Sequence, residues 1–388
     1  MGKHVLFIAA LQEANPNEPT HLAAHKKIFI LLNTLTDIGC KVTLFNSGPL
    51  MGEHKTRKLN KIRLTNNHVV SCFHPTSYRY TNVGRLTNIV TSIRDFEWVA
   101  EITGMPDIIW AYNGYALEMR VCRYAHERYG IKTVFEYEDW QFARGCIFNP
   151  KSLLDWVFWR AALPSFICVF VVNTFLAEKV RSLEVPIFYL PTIVENKILR
   201  LSETAKPFRT RNLDIKCGYF GGLETEKGVG FLIDVIKMSL ERSYNISWLI
   251  TGHGSLASKL VDLSKKYPDR LVYLGKVDDQ KLLNSMGAVD VLLNPHLPNK
   301  GVFPFKLAEA VSTGRLVISS PMTVSEEVSW IGEAIVQIEL DRELWLNTIL
   351  QASSIFLKKE KQIKASKEQA EEKVSTLAVS KIIKKVLG

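Results

Sequence analysis

The chain has 388 residues, 47% hydrophobic and 23% charged, with six cysteines and a formal charge of +10 at neutral pH. This is the balance of an ordinary globular protein, and the length predicts two domains. No apolar run reaches the roughly 18 residues a membrane-spanning helix needs; the nearest, SLLDWVFWRAALPSFICVFVV, is interrupted by Asp155, Arg160 and Pro164.

In chain order, MGKHVLFIAALQEAN reads as a buried first strand, because the apolar run lacks a signal-peptide cleavage site. AAHKKIFILLNTLTDIG has helical spacing up to Gly39, and KVTLFN is the next strand. HKTRKLNKIR (His54 to Arg63) concentrates positive charge and reads as a basic surface helix. DIIWAYN, KTVFEYED and ICVFVVN are strands, and LEMRVCRYAHERYG is a helix with a glycine stop. YLPTIVENKILRLSETAKPFRTRNLD is polar and poorly periodic, a linker that places the division near Ala205.

Beyond it come strands IKCGYFGG, ISWLITGHG, LVYLGKV, VDVLLNP and RLVISS, with helices GVGFLIDVIKMSLERS, SLASKLVDLSKKY, DQKLLNSMGA and FKLAEAVSTG between them. Near-continuous apolar strands alternating with helices indicate parallel sheets covered on both faces. The expected fold is α/β: two Rossmann-like, doubly wound domains (1–204 and 205–372) facing a central cleft, with ligands at the carboxyl ends of the strands. A last helix in 373–388 is expected to cross back to the first domain.

The cysteines (Cys40, Cys72, Cys122, Cys146, Cys168, Cys217) are scattered, with no CxxC pair, as in a reduced, cytoplasmic protein without structural zinc. The positive charge points to an anionic partner. Nucleic acid is the weakest choice, because no RNP pattern or zinc spacing accompanies the charge. Excess lysine after Leu357 and in His54 to Arg63 suits an anionic membrane surface, or else a solvated face.

Several short stretches carry candidate chemistry. In GGLETEKG, Gly221 and Gly222 after a strand let a ligand approach the backbone, and Lys227 at the mouth of a helix can face a diphosphate. TGHGS (with Gly252 and Gly254) is a second strand-to-glycine turn, equally readable as a plain loop. In GVFPFKLAEAVSTG, Lys306 opens a helix and Glu309 lies one turn along the same face, where a carboxylate can accept two hydrogen bonds from vicinal ribose hydroxyls. The alternative is a surface salt bridge. FEYEDW gathers Glu136, Glu138, Asp139 and Trp140 at a strand's carboxyl end; Glu138 and Asp139 are candidates to orient or deprotonate a hydroxyl, against a solvated acidic loop. His21 and His25, spaced i,i+4, suit packing or acceptor contact better than metal, since no third ligand is evident.

GYFGGLETEKGVGFLIDVI, LITGHGSLASKL, VYLGKV, AVDVLLNP and FPFKLAEAVSTGRLVISS stand in the order and spacing of retaining family 4 glycosyltransferases of the GT-B type. The resemblance covers roughly Ile215 to Ser320 by motif and the first domain by architecture. It implies transfer of a sugar from a nucleotide diphosphate sugar, with UDP as the expected nucleotide, to a glycan or lipid-linked hydroxyl with retained configuration. That implies a role in bacterial surface glycan or glycolipid assembly at the inner membrane face. By resemblance, TGHGS lines the donor pocket, the segment ending at Val277 holds the base through backbone groups, and Phe303, Pro304, Phe305, Lys306, Leu307 and Glu309 form the donor loop. Catalytic roles fall to Lys227 and Lys306 at the diphosphate and to Glu138 and Asp139. No cofactor or metal is expected; the VDD at Asp278 is on the wrong segment for a metal-binding DxD. Gly301 replaces the family's first loop glutamate, and Gly222 replaces an arginine common in relatives. A nucleotide-sugar epimerase of similar fold, and a degenerate protein that only binds sugar nucleotides, remain as alternatives.

Overall fold

The computed structural model describes residues 2–11, 22–48, 57–75, 82–140, 150–190, 192–201, 214–297, 305–322 and 329–388. His21, Gly301, Phe303 and Pro304, half of the expected linker and the start of the basic segment lie outside them. The chain forms two compact units. One is built from Met1–Ile193 with Val379–Gly388; the other lies within Val194–Ala378. The division therefore comes upstream of Ala205.

The first unit holds an eight-stranded sheet: β1 (His4–Ala9), β2 (Lys41–Asn46), β3 (Lys58–Arg63), β4 (Val69–His74), β5 (Ile108–Tyr112), β6 (Lys132–Tyr137), β7 (Phe166–Val171) and β8 (Ile187–Tyr189). Their spatial order is β3-β4-β2-β1-β5-β6-β7-β8, parallel except for β3. Strand alternation splits the core by face. Val5, Phe7, Val42, Leu44, Ile108 and Trp110 meet Ile28, Leu31 and Leu35 of the helix Leu22–Asp37. Leu6, Ile8, Phe45, Ile109, Phe135 and Tyr137 point the other way, onto the helices Asn82–Thr103, Ala116–Tyr129 and Pro150–Ala162. The final helix, Thr376–Leu387, joins the first face through Val379, Ile383 and Leu387. Burying each of these side chains stabilises by about 1.5–3 kcal/mol, which ties the chain's end to its beginning.

One expectation is corrected. The described part of HKTRKLNKIR is not a helix; it is β3, paired antiparallel with β4 from Lys58 opposite His74 to Arg63 opposite Val69. The turn explains it: Leu64 N–H donates to His68 O (2.8 Å), and Asn67 takes a left-handed φ of 66°, which asparagine tolerates. Leu59 and Ile62, three apart, imitate a helical repeat, but the asparagine turn makes a hairpin. The exposed Lys61 and Arg63 charge the sheet edge, as suits an unpaired edge strand.

The second unit holds a six-stranded parallel sheet: β9 (Ile215–Phe220), β10 (Ile246–Thr251), β11 (Leu271–Tyr273), β12 (Val291–Asn294), β13 (Leu316–Ser319) and β14 (Ile335–Gln337), in the order β11-β10-β9-β12-β13-β14. The order reverses direction between β9 and β12, the topological switch point at which doubly wound sheets bind ligands. The β9–β10 ladder runs from Ile215 opposite Ile246 to Phe220 opposite Thr251. That between β9 and β12 contains only Cys217 opposite Val291 and Gly218 opposite Leu292. The carboxyl ends of β9 and β12 are thus left unpaired with each other. Helices cover both faces, and Trp248, Trp330 and Trp345 are fully buried. Among the described residues, no helix is long and apolar enough to cross a membrane.

Candidate functional site

The loop after β9 is shaped by close backbone contacts that only glycine permits. Gly228, at φ 69°, ends the 3-10 turn Thr225–Lys227 and starts the helix Val229–Glu241; a Cβ there would lie 1.7 Å from Pro295 O, just past β12. Gly252, at φ 131°, follows β10, and its Cβ would lie 1.8 Å from Gly221 O. Backbone bonds fasten the two glycine turns: Gly221 N–H to Thr251 O (3.1 Å) and Leu223 N–H to His253 O (2.9 Å). Gly254 packs against Leu223 O and the Glu224 carboxylate, which also accepts from Ser255 N–H (3.1 Å). Gly222 is exposed, with nothing within 4 Å of where a side chain would begin. Its carbonyl accepts from the Tyr219 hydroxyl (2.8 Å). The sequence pattern that suggested close approach therefore corresponds to backbone held at the switch point.

Lys306 lies in the first turn of the helix Phe305–Ser312. The residue is exposed, and its Nζ donates to Phe220 O at the end of β9, 3.0 Å from where a Gly221 Cβ would stand. Glu309, one turn on, is only 6% exposed, flanked by Leu307 and Ala308, both fully buried. Both Lys306 and Glu309 have further polar or electrostatic contacts. The LGKV segment borders the second glycine turn, where Gly252 N–H donates to Gly275 O (2.8 Å) and Tyr273 donates to Gly252 O (2.9 Å). Val277 is half-buried, and Asp278 caps the helix Asp279–Ala288 through Lys281 N–H (2.7 Å).

His296, two residues past β12, is a residue that motif reading missed. Its Nε2 is 3.4 Å from Lys227 Nζ, and its Nδ1 is 2.7 Å from Leu297 O. Burial and the Lys227 charge lower its pKa, against the opposing effect of the Leu297 carbonyl. The signal was its place: the residue after Asn294-Pro295, at the end of a strand flanking the switch point.

In the first unit, β6 brings Glu136 and Glu138 to its carboxyl end, where both meet a second missed residue, Lys27. Lys27 is 1% exposed, and its Nζ lies 3.0 Å from Glu136 Oε1, on Glu138 Oε1 and 2.9 Å from Leu190 O. Glu136 also accepts from Trp110 Nε1 (2.9 Å). Asn113, left-handed at φ 72°, receives the N–H groups of Glu138 (3.1 Å) and Asp139 (3.0 Å) on its side-chain oxygen and so fixes the turn. Burial pushes the Glu138 pKa up to about 8; Lys27 opposes the shift and Glu136 adds to it. The Lys27 pKa is raised, since the two glutamates outweigh the opposing effect of burial. Glu138 is thus no solvated acid: it is the outer member of a buried Lys–Glu–Glu trio. Nearby in sequence, Trp140 packs edge-on against Phe175. His25 is half-buried in the first helix. Among the described residues, no three His, Cys, Asp or Glu side chains converge to hold a metal ion.

Comparison with known proteins places this architecture. Over essentially its whole length the chain has the fold of GT-B glycosyltransferases. It superposes on sucrose-phosphate synthase from Thermosynechococcus elongatus with a TM-score of 0.68 at 14% identity, covering 99% of this chain and 98% of that one. The UDP-forming α,α-trehalose-phosphate synthase from Burkholderia xenovorans gives 0.67 at 12% identity, covering 100% and 99%. Anabaena HepE in complex with UDP-glucose gives 0.63 at 15% identity, covering 99% of each chain. More narrowly, residues 214–352 match the family described as Glycosyl transferases group 1. A curated relative, the phosphatidyl-myo-inositol mannosyltransferase of Mycobacterium tuberculosis, is 30% identical over 110 residues; the match spans 28% of this chain and 29% of that protein. The fold, the family match and this relative together support the resemblance to family 4-like glycosyltransferases.

Proposed function

We propose that the chain transfers a sugar from a nucleotide diphosphate sugar to a hydroxyl acceptor with retention of anomeric configuration. The observation that carries the reading is the switch point of the second unit. There the β9–β12 ladder stops early, glycine backbone is held at the strand ends, and Lys227 and Lys306 stand around it with a buried carboxylate, Glu309, one turn away.

We assign the diphosphate to Lys227, Lys306 and the Gly221–Gly222 backbone, the ribose hydroxyls to Glu309, and the base to the backbone around Val277. The bond between C1 of the sugar and the diphosphate oxygen breaks as the acceptor oxygen adds to the same face of C1, and the acceptor proton passes to the departing diphosphate. Lysines that meet the growing negative charge there lower the barrier because they are already in place before it develops. Orientation of the acceptor is assigned to Glu138 and Asp139. Glu138, held in place by Lys27, is assigned to position the acceptor hydroxyl, and Asp139 to accept its hydrogen bond. UDP as the nucleotide follows the complexes and products named for the structural neighbours. A lipid-linked acceptor at the inner membrane face follows the name of the mycobacterial relative and the lysine-rich helix Ala352–Val374.

Calorimetric titration with UDP-, GDP- and ADP-sugars, followed by NMR of the product formed with an acceptor panel, tests this. Binding of one donor class and an unchanged anomeric centre are expected. No binding of any nucleotide sugar sinks the proposal, and an epimer formed from donor alone replaces it with an epimerase.

A further inference from the structure

We infer that His296 is a proton-linked element of the diphosphate site: its imidazole holds the Lys227 ammonium in the ligand-free protein and takes up a proton when a diphosphate binds. This rests on the assignment of Lys227 to the diphosphate made above.

The tautomer follows from the neighbours. Leu297 O can only accept, so the ring nitrogen 2.7 Å from it, Nδ1, carries a hydrogen. In the neutral ring Nε2 then presents a lone pair, and this faces Lys227 Nζ at 3.4 Å, an ammonium that can only donate. The His296 backbone is fixed: the Ser320 hydroxyl donates to His296 O, and Pro295 O is pressed against Gly228 at the start of the helix that follows Lys227. Among the described residues, the charged groups that act on the ring are Lys227, which opposes protonation, and Glu226, which favours it. Burial also opposes it.

A diphosphate arriving beside Lys227 reverses this field. It carries two negative charges and acceptor oxygens, so an Nε2–H bond that would have faced only an ammonium finds a phosphate oxygen. Imidazole is the side chain whose ordinary pKa lets this happen near neutral pH. By linkage, a group whose pKa is higher in the complex than in the free protein makes binding tighter as pH falls. A charge appearing at the departing diphosphate is then met by a third cation beside Lys227 and Lys306.

The test uses UDP-glucose, whose phosphates are both esterified and do not titrate near neutrality. Its binding is measured by calorimetry at pH 6, 7 and 8 in buffers of different ionisation enthalpy. The wild-type protein should take up a substantial fraction of about one proton between pH 6 and 7, with a Kd that falls as the pH falls. His296→Asn, which cannot titrate, should bind with no linked proton and a nearly flat pH dependence, and so should His296→Gln. Uptake that persists in both variants assigns the proton elsewhere and overturns the inference. Binding by the wild type without uptake overturns it too, while leaving the donor site standing. Failure of UDP-glucose and every other nucleotide sugar to bind removes the donor site and this inference together.

Discussion

Replacing Lys27 with methionine tests whether the trio at the end of β6 is what the structure makes of it. The ammonium is 1% exposed and donates to Glu138 and Leu190 O, with Glu136 Oε1 in ion-pair contact at 3.0 Å and Glu136 itself fully buried. Methionine keeps the volume of the aliphatic stem and removes the charge, which leaves two carboxylates crowded in the core with no counter-ion. Breaking a buried pair in this way costs about 3–5 kcal/mol, a large share of the roughly 5–15 kcal/mol that holds a typical domain together. The sign of the pH effect follows from Glu138. Its folded pKa, about 8, lies above the ordinary 4.5, so its contribution to stability falls as pH rises from 4.5 to 8. Without Lys27 that fall should steepen, so the variant loses most at pH 8 and least at pH 5. Urea unfolding across that range measures it, and adding Glu138→Gln to the variant should restore about 1–2 kcal/mol at pH 8 by removing one of the two carboxyl groups left without a counter-ion. A Lys27→Met protein within about 1 kcal/mol of wild type at pH 8, well under the cost of an uncompensated buried charge, would refute the reasoning.

Gly228→Ala must move backbone, because its Cβ would sit 1.7 Å from Pro295 O at a left-handed φ; a loss of about 1–3 kcal/mol is expected in thermal unfolding. Gly222→Ala, in open space, is the silent control, and equal melting of the two variants contradicts the packing described. Glu118 is buried, accepts from the Ser47 hydroxyl, and is pushed by burial to about 7 from an ordinary 4.5. That raised pKa costs stability progressively from pH 4.5 to 7, reaching about 3 kcal/mol at ~1.4 kcal/mol per unit. Glu118→Gln keeps the acceptor and should gain on wild type over that interval in urea melts; a pH-independent difference contradicts it. Glu309→Ala should weaken UDP-glucose binding by about 1–3 kcal/mol, and unchanged affinity removes the ribose role.

The second unit was legible because its signals are local. Glycine after an apolar strand, lysine before a helix and a Lys–Glu pair one turn apart each follow from a few neighbouring residues. The structure puts Gly221, Lys227 and Lys306 around the end of β9, as a parallel sheet with its switch point there requires. The hairpin of β3 and β4 was not legible as such, since Leu59 and Ile62 of KLNKIR are three apart, a helical spacing that in the strand puts them on opposite faces of the sheet. Its deciding feature was Asn66-Asn67, where a left-handed residue reverses the chain.

The two missed site residues differ from each other in an instructive way. His296 stands at the candidate site because β12 lies beside β9, a relation set by strand order and invisible in any window of sequence. Lys27 left a trace. Counting along its helix, residues 27, 31 and 35 share a face, and Leu31 and Leu35 are core residues, so Lys27 lies on the buried stripe. On β6, Glu136 alternates with Val134 and faces the same layer. A lysine on an apolar helical stripe and a glutamate on the inward face of a strand are each too costly to bury alone, and each is the one partner that makes the other tolerable. Read together, the two misfits predict their own contact. Glu138, two residues beyond Glu136, meets the same ammonium, which opposes the rise in pKa that burial imposes on it.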